Sequence, residues 1–287
     1  MDWVNAIVQG ILLGGLYALF AAGLSLIFGV MRLVNIAHGD LIILAAYVGM
    51  SITLFTGLHP IAVLPLVVIV MAGIGYGLQR LILNKTLGED ILPPLLVTFG
   101  LSVIIQNALL ETYSADPQSL DAGNLEIASV EVAGLSIGVL PLITFALAIV
   151  VIAVLQFIFY KTALGRIFRA VSDNQEIAQL MGVNQRHVFG IAMALSLAVT
   201  AVAGVLLGIR TSFDPAAGPG RLIFGFEAVI IGGLGNLWGT MIGGVILGVA
   251  QTVGAKINPG WQLLAGHIVF LLVLALRPTG LFPRMKG

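Results

Sequence analysis

The residues best equipped for chemistry in this chain are few, and they sit in apolar surroundings. Thr98, Ser102 and Gln106 recur at four-residue spacing, so a helix would carry all three on one face, with Asn107 adjacent. Ser and Thr can satisfy themselves on local backbone, whereas an unmet amide in a bilayer costs several kcal/mol. Gln106 and Asn107 are therefore expected to face a bundle interior, either joining helices or lining a pathway. Asn35, His38 and Asp40 form a second polar group. It reads as a polar turn at a membrane face, with Asp40 close to a helix N-terminus whose dipole favours an acid. Glu227 precedes the run GGLGNLWG, which holds Gly232, Gly233 and Gly235. An ionisable group in an apolar segment is a functional candidate by default. Glu227 is expected near the outer end of a half-helix, within reach of water, and the lone His267 reads as a packing residue.

Other chemistries lack their residues. There is no cysteine, which removes disulfides and thiolate metal sites. The four histidines are far apart in sequence, without ligand spacing, and no Walker A run, Ser-His-Asp set or zinc-protease motif occurs. Formal net charge is zero, so nucleic acid is not an expected partner.

The elements that must position these residues are membrane spans. The 287 residues are 59% hydrophobic and 9% charged, with mean hydropathy +1.09; soluble domains run near ~25% charged. The fold class is an all-α polytopic membrane protein, one transmembrane domain over 1–287. It has about eight segments, at 5–28, 41–55, 61–83, 95–110, 139–160, 188–209, 223–253 and 262–276. In the first, Gly10, Gly14, Ala18 and Ala22 make a stripe of small residues, read as a helix-packing surface. The segment 223–253 is too long for one span and is cut by glycines. It is read as two half-helices of about fourteen residues, re-entrant or crossing twice. The N-terminus lacks a basic region and reads as the start of the first span.

The most polar long stretch is 161–187, which holds Lys161, Arg166, Arg169 and Arg186 beside Asp173 and Glu176. Its middle reads as a short helix from Asn174 through Glu176, Ala178 and Leu180, closed by Gly182. Ile177, Leu180, Met181 and Val183 would be wasted unless they pack on something. A solvated connection and a docking helix for a soluble partner both fit. Placing this stretch in the cytoplasm puts the acidic 111–138 connection and the N-terminus outside. If 223–253 crosses twice or re-enters, the C-terminal tail is cytoplasmic too. Ten of the thirteen basic residues then lie inside, leaving Arg210, Arg221 and Lys256 out.

Glu176-x-Ala178-x-x-x-Gly182 resembles the EAA-type loop of ABC importer permeases. GLYALFAAGLSLIFGVMRLVNIAHGD (15–40), LLVTFGLSVIIQN (95–107), LGRIFRAVSDNQEIAQLMG (164–182), GFEAVIIGGLGNLWGTMIGG (225–244) and RPTGLFPR (277–284) are together similar to the permease family of branched-chain amino acid ABC transporters. The N-terminal blocks favour its first branch. The resemblance implies a partner set: a second homologous permease, ATP-binding subunits that carry the ATP and Mg, and an extracytoplasmic substrate-binding protein. This chain would bind no cofactor and hydrolyse nothing itself. It implies a prokaryotic inner membrane and alternating access. Arg166, Arg169, Glu176, Ala178, Leu180 and Gly182 would be at the ATPase contact, with the 35–40 block and the glycine break at the pathway. Urea and short-chain amide importers share the scaffold. An ion-coupled carrier working alone is the competing class, and Glu227 would be its main coupling-ion candidate.

Overall fold

The computed structural model describes residues 2–88, 90, 92–132 and 134–282. Among them, eight helices are long and apolar enough to cross a membrane, and the chain is a multi-pass membrane protein. In chain order the helices are α1 (Asp2–Met31), α2 (His38–Thr56), α3 (Pro60–Leu81), α4 (Leu92–Tyr113), the one-turn α5 (Asn124–Ile127), α6 (Val139–Lys161), α7 (Ala163–Asp173), α8 (Gln175–Leu180), α9 (Gln185–Arg210), α10 (Gly218–Gly232), α11 (Leu237–Ile257) and α12 (Gln262–Leu276). The acidic connection is more ordered than its composition suggests. After α5 it forms an antiparallel hairpin of β1 (Ser129–Val132) and β2 (Leu135–Gly138), with Ser129 opposite Gly138.

Helices α1 and α9 are the centre, buried along most of their length, whereas α12 buries only Gly266. Lipid tails give apolar helices no reason to associate, so close backbone contact and van der Waals packing must do it. The stripe on α1 does this against α11. A Cβ on Gly14 would lie 2.4 Å from Val245 Cα, and one on Gly248 would lie 2.3 Å from the Gly10 carbonyl oxygen. The two helices are antiparallel: Asp2 meets Lys256 at 3.5 Å at one end, and Gly29 lies against Gly235 at the other.

These contacts define two faces. One holds the end of α1, the 83–88 turn, α7, α8, the start of α9 and the turn between α10 and α11. It is tied together by Ser172 Oγ donating to the Gly29 carbonyl at 2.8 Å and Asn84 Nδ2 donating to the Arg186 carbonyl at 3.1 Å. The opposite face holds the α2–α3 turn, the 114–138 connection and the 211–217 loop; His59 contacts the Ala122 carbonyl at 3.2 Å there.

The glycine-broken segment differs from its reading as two equal half-helices. Its second arm, α11, has 21 residues and crosses fully, because helical periodicity continues to Ile257. The first arm, α10, has 15 residues beginning at Gly218. The two form a tight antiparallel hairpin, in which Gly243 packs on the Ala228 carbonyl and Gly232 on Gly239. The break is thus a turn at the α7–α8 face rather than exposed backbone at membrane depth. Gly233 at φ 106° makes the reversal, and Asn236 Oδ1 caps α11 by accepting from the Gly239 N–H at 2.9 Å. The segment after α12 returns to this turn, with the Leu281 N–H donating to the Ile231 carbonyl at 2.9 Å. The segment up to Phe282 therefore lies on the α7–α8 face, as both the re-entrant and the two-crossing alternatives require. Arg284 and Lys286, counted with it, lie outside the described residues.

The packing argument predicts that Gly248→Leu lowers stability by about 1–3 kcal/mol or more through overpacking. Gly73→Leu, where a Cβ would meet nothing within 4 Å, should be neutral. Thermal denaturation of the two variants in detergent checks this; equal melting would refute the role of the α1–α11 contact.

Candidate functional site

The 35–40 block does not lie at a membrane face. Helix α1 ends where Arg32 takes a left-handed φ of 53°. The chain then turns back into the bundle through Leu33, Asn35 and Ala37, all buried. The His38 ring packs on Gly23 and its Nε2 meets the Phe20 carbonyl at 3.0 Å. Those residues lie 8–11 positions before the end of α1, about 12–16 Å back along its axis. A polar hexapeptide reads as a surface turn, but here its groups find partners inside. Asn35 Oδ1 accepts from the Ala37 N–H at 3.1 Å, and Thr98 Oγ1 accepts from the Ile36 N–H at 3.3 Å.

The polar face of α4 closes on this re-entering segment. Gln106 Nε2 donates to Asp40 Oδ1 at 2.9 Å and to Ser102 Oγ at 3.2 Å. Gly218, the first residue of α10, packs directly on Asp40, where a Cβ would sit 2.0 Å from Oδ1. Asn35, His38, Asp40, Thr98, Ser102 and Gln106 are thus brought together where α2 and α10 begin. Asn107 is the exception to the expectation that it faces inward. It lies about 100° round the helix from Gln106, is exposed, and donates to its own helix at the Val103 carbonyl at 2.8 Å.

Glu227 lies apart from this cluster, and it is buried. Its side chain is 5% exposed and pairs with His267 Nδ1, whose side chain is 41% exposed. The α10–α12 contact buries the carboxylate, and a lone histidine in an apolar span gives no sign of its partner. A buried hydrogen bond from Tyr17 to Gln251 at 2.6 Å joins α1 to α11. Gly232, Gly233 and Gly235 are at the opposite end of α10 from Asp40, in the hairpin turn.

At the α7–α8 face, the expected short helix is present, preceded by a second one. Thr162 caps α7 by accepting from the Gly165 N–H at 3.2 Å, and Phe168 and Val171 bury its inner side. Arg169 turns back to the Phe159 carbonyl and lies over the Tyr160 ring, whereas Arg166 is exposed. Asn174 Oδ1 caps α8 by accepting from the Ile177 N–H at 3.0 Å. Gly182, at φ 85°, ends it, and the Val183 N–H bonds the Ala178 carbonyl at 3.0 Å. Ala178 and Val183 pack inward. Ile177, Leu180 and Met181 are 59%, 87% and 80% exposed, and Glu176 is exposed beside them. A cavity of about 540 Å³ lies alongside, lined by Asn84, Gln175, Gln179, Gln185 and Arg186 among others.

A short capped helix with an outward apolar face, below a bundle of this span order, is what the permease resemblance implied. The family description "Branched-chain amino acid transport system / permease component" matches residues 6–276. The chain belongs to this permease family. The permease protein BraD of the high-affinity branched-chain amino acid transport system of Pseudomonas aeruginosa is 28% identical, over 98% of this chain and 96% of its own. The corresponding permease LivH of Escherichia coli is 27% identical over the same shares. The fructose import permease FrcC of Rhizobium meliloti is 28% identical over 95% of this chain and 82% of its own. Among solved structures, PsaBC from Streptococcus pneumoniae in complex with Fab shares the fold, with TM-score 0.50 at 13% identity, covering 97% of this chain and 96% of that one.

In this permease, sequence reasoning did not single out Asp214, which the 211–217 loop carries over α4, nor the partnership of His267 with Glu227. The only available signal for Asp214 was an acid in a Pro/Gly-rich loop. For the buried pair we expect His267→Leu to destabilise the chain by about 1–3 kcal/mol, because Glu227 is left unpartnered. Adding Glu227→Gln should recover most of the loss. Melting in detergent of the two single variants and the double checks it; an unchanged His267→Leu protein would mean the pair contributes nothing.

Proposed function

We propose that this chain is the membrane permease subunit of an ATP-driven importer that moves branched-chain or related neutral amino acids. The observation that carries this reading is the outward apolar face of α8. Ile177, Leu180 and Met181 stand in water on a helix capped at both ends, at the face richest in Lys and Arg. Exposed apolar residues so grouped mark an interaction site. Their partner is a separate ATPase subunit, which binds ATP and Mg and moves α8. The α7–α8 face is cytoplasmic by the positive-inside rule, which places the N-terminus outside and the tail inside, in a prokaryotic inner membrane. A second homologous permease completes the membrane unit, and an extracytoplasmic binding protein delivers substrate to the opposite face. The pathway passes Asp40 and Gln106, where α2, α4 and α10 converge. An ion-coupled carrier is the weaker reading, since it leaves the apolar face of α8 without a purpose and Glu227 is already paired.

Leu180→Asp and Glu176→Arg should each lower ATP-driven uptake in reconstituted vesicles at least tenfold. Gly182→Trp should do the same, because a side chain at φ 85° disrupts the end of α8. Membrane levels should stay normal, and the ATPase should no longer co-purify. Full uptake by these variants, or ATP-independent uptake by the wild type, would overturn the coupling role.

A further inference from the structure

A second cavity, of about 140 Å³, opens at the face opposite α8, between the end of α4 and the 211–217 loop. Gln106, Asn107, Leu110, Ala115, Asp214, Pro215 and Ala216 line it. The loop is held rigidly over α4. Gln118 and Phe213 exchange backbone hydrogen bonds at 2.8 Å each. The Phe213 ring packs edge-on against Tyr47 with centroids 4.9 Å apart, and Tyr47 stacks on Tyr113 of α4 at 4.5 Å. The cavity walls therefore do not depend on a free loop.

The polar atoms left for a ligand are all acceptors. Gln106 must turn its Nε2 toward Asp40, since the reverse would set two oxygens against each other. Its NH2 group is then used by Asp40 and Ser102, which leaves Oε1. Asn107 spends its Nδ2 on the Val103 carbonyl, leaving Oδ1. Asp214 Oδ1 accepts from the Ala216 N–H at 2.9 Å, leaving Oδ2. No Lys, Arg or His nitrogen lies within 4 Å of Asp214 among the described residues. Three acceptors and one negative charge without a cation within 4 Å suit a ligand group that only donates and is positive, such as an ammonium. Leu110, Ala115, Pro215 and Ala216 make the remaining wall apolar and free of aromatic rings. A cavity of about 150 Å³ takes a benzene-sized group, so this one has room for a short aliphatic chain. A sugar would bring no positive charge to Asp214 and would find no ring to stack on.

We infer that this cavity is an ammonium-recognition site for a small aliphatic amino acid, with Asp214 as counter-ion and Gln106 Oε1 as second acceptor. The inference rests on the permease reading and deepens it: it chooses the amine-bearing class over the sugar that one relative imports.

The chain has no cysteine, so Ala115→Cys places a single thiol in the cavity wall. The test follows maleimide labelling of this chain's band in the complex purified with its partners. At 5-fold or greater strength, millimolar L-leucine should slow labelling, while 4-methylpentanoate, the same skeleton without the ammonium, and fructose should not. With Asp214→Asn added, labelling without ligand should be unchanged and leucine protection lost. Equal protection by 4-methylpentanoate, protection by fructose alone, protection by none, or leucine protection surviving Asp214→Asn would each overturn the site. Labelling and ATP-driven uptake are separate readouts. Protection that persists when uptake proves independent of the ATPase would leave the ammonium site standing and remove the coupling reading.

Discussion

Backbone that is not helical inside a bilayer must find its hydrogen bonds within the protein. One segment of this chain is in that position, 32–37, which turns back beneath α2; a second irregular segment, 211–217, leads into α10 from the face opposite α8. The first is satisfied by Asn35 and by Thr98 from α4. The second is satisfied by pairing with Gln118 and by the Asp214 carboxylate. Asn35 and Thr98 thereby fix the turn that leads to Asp40, and Asp214 also lines the cavity beside Gln106.

That arrangement rests on how closely the helices approach. Because α1 and α11 meet through Gly10, Gly14, Gly244 and Gly248, their axes leave no room for side chains between them. Helix α10 then tucks against α11 through Gly232, Gly239 and Gly243, and its first residue reaches Asp40. A methyl group at Gly218 would collide with that carboxylate. The small residues therefore do more than join helices. They bring the start of α10 to the start of α2, so that two helix N-termini, each a positive dipole end, converge beside one buried acid.

How much of this was legible in the sequence depended on whether the signal was local. The four-residue spacing of Gly10, Gly14, Ala18 and Ala22, and of Thr98, Ser102 and Gln106, specifies a face whatever lies opposite. The short helix closed by Gly182 was visible for the same reason. Depth was not legible. Asn35 to Asp40 is as polar as a surface turn, and only the packing of His38 on Gly23 reveals that it lies inside. Nor was pairing across long separations: Glu227 and His267 are 40 residues apart and Gln106 and Asp40 are 66 apart, with no periodicity to link them. The length of α11 was misjudged because the glycines that mark the turn also continue into α11, where they are packing surface.

The two ends of the molecule are joined by a continuous physical connection. Ser172 on α7 holds the Gly29 carbonyl of α1. Two residues further on, α1 ends, and the irregular 32–37 segment runs directly to His38 and Asp40, which bonds Gln106. Between α7 and Asp40, the first stretch outside a helix after the end of α1 is 32–37. That segment is also where α2 is anchored, since Asn35 and Thr98 hold its first turn. Asp40 bonds Gln106 directly, and Gln106 lines the cavity below Asp214. The irregular segment after α1 thus lies between the α7–α8 face and the carboxylate of Asp40 inside the bundle.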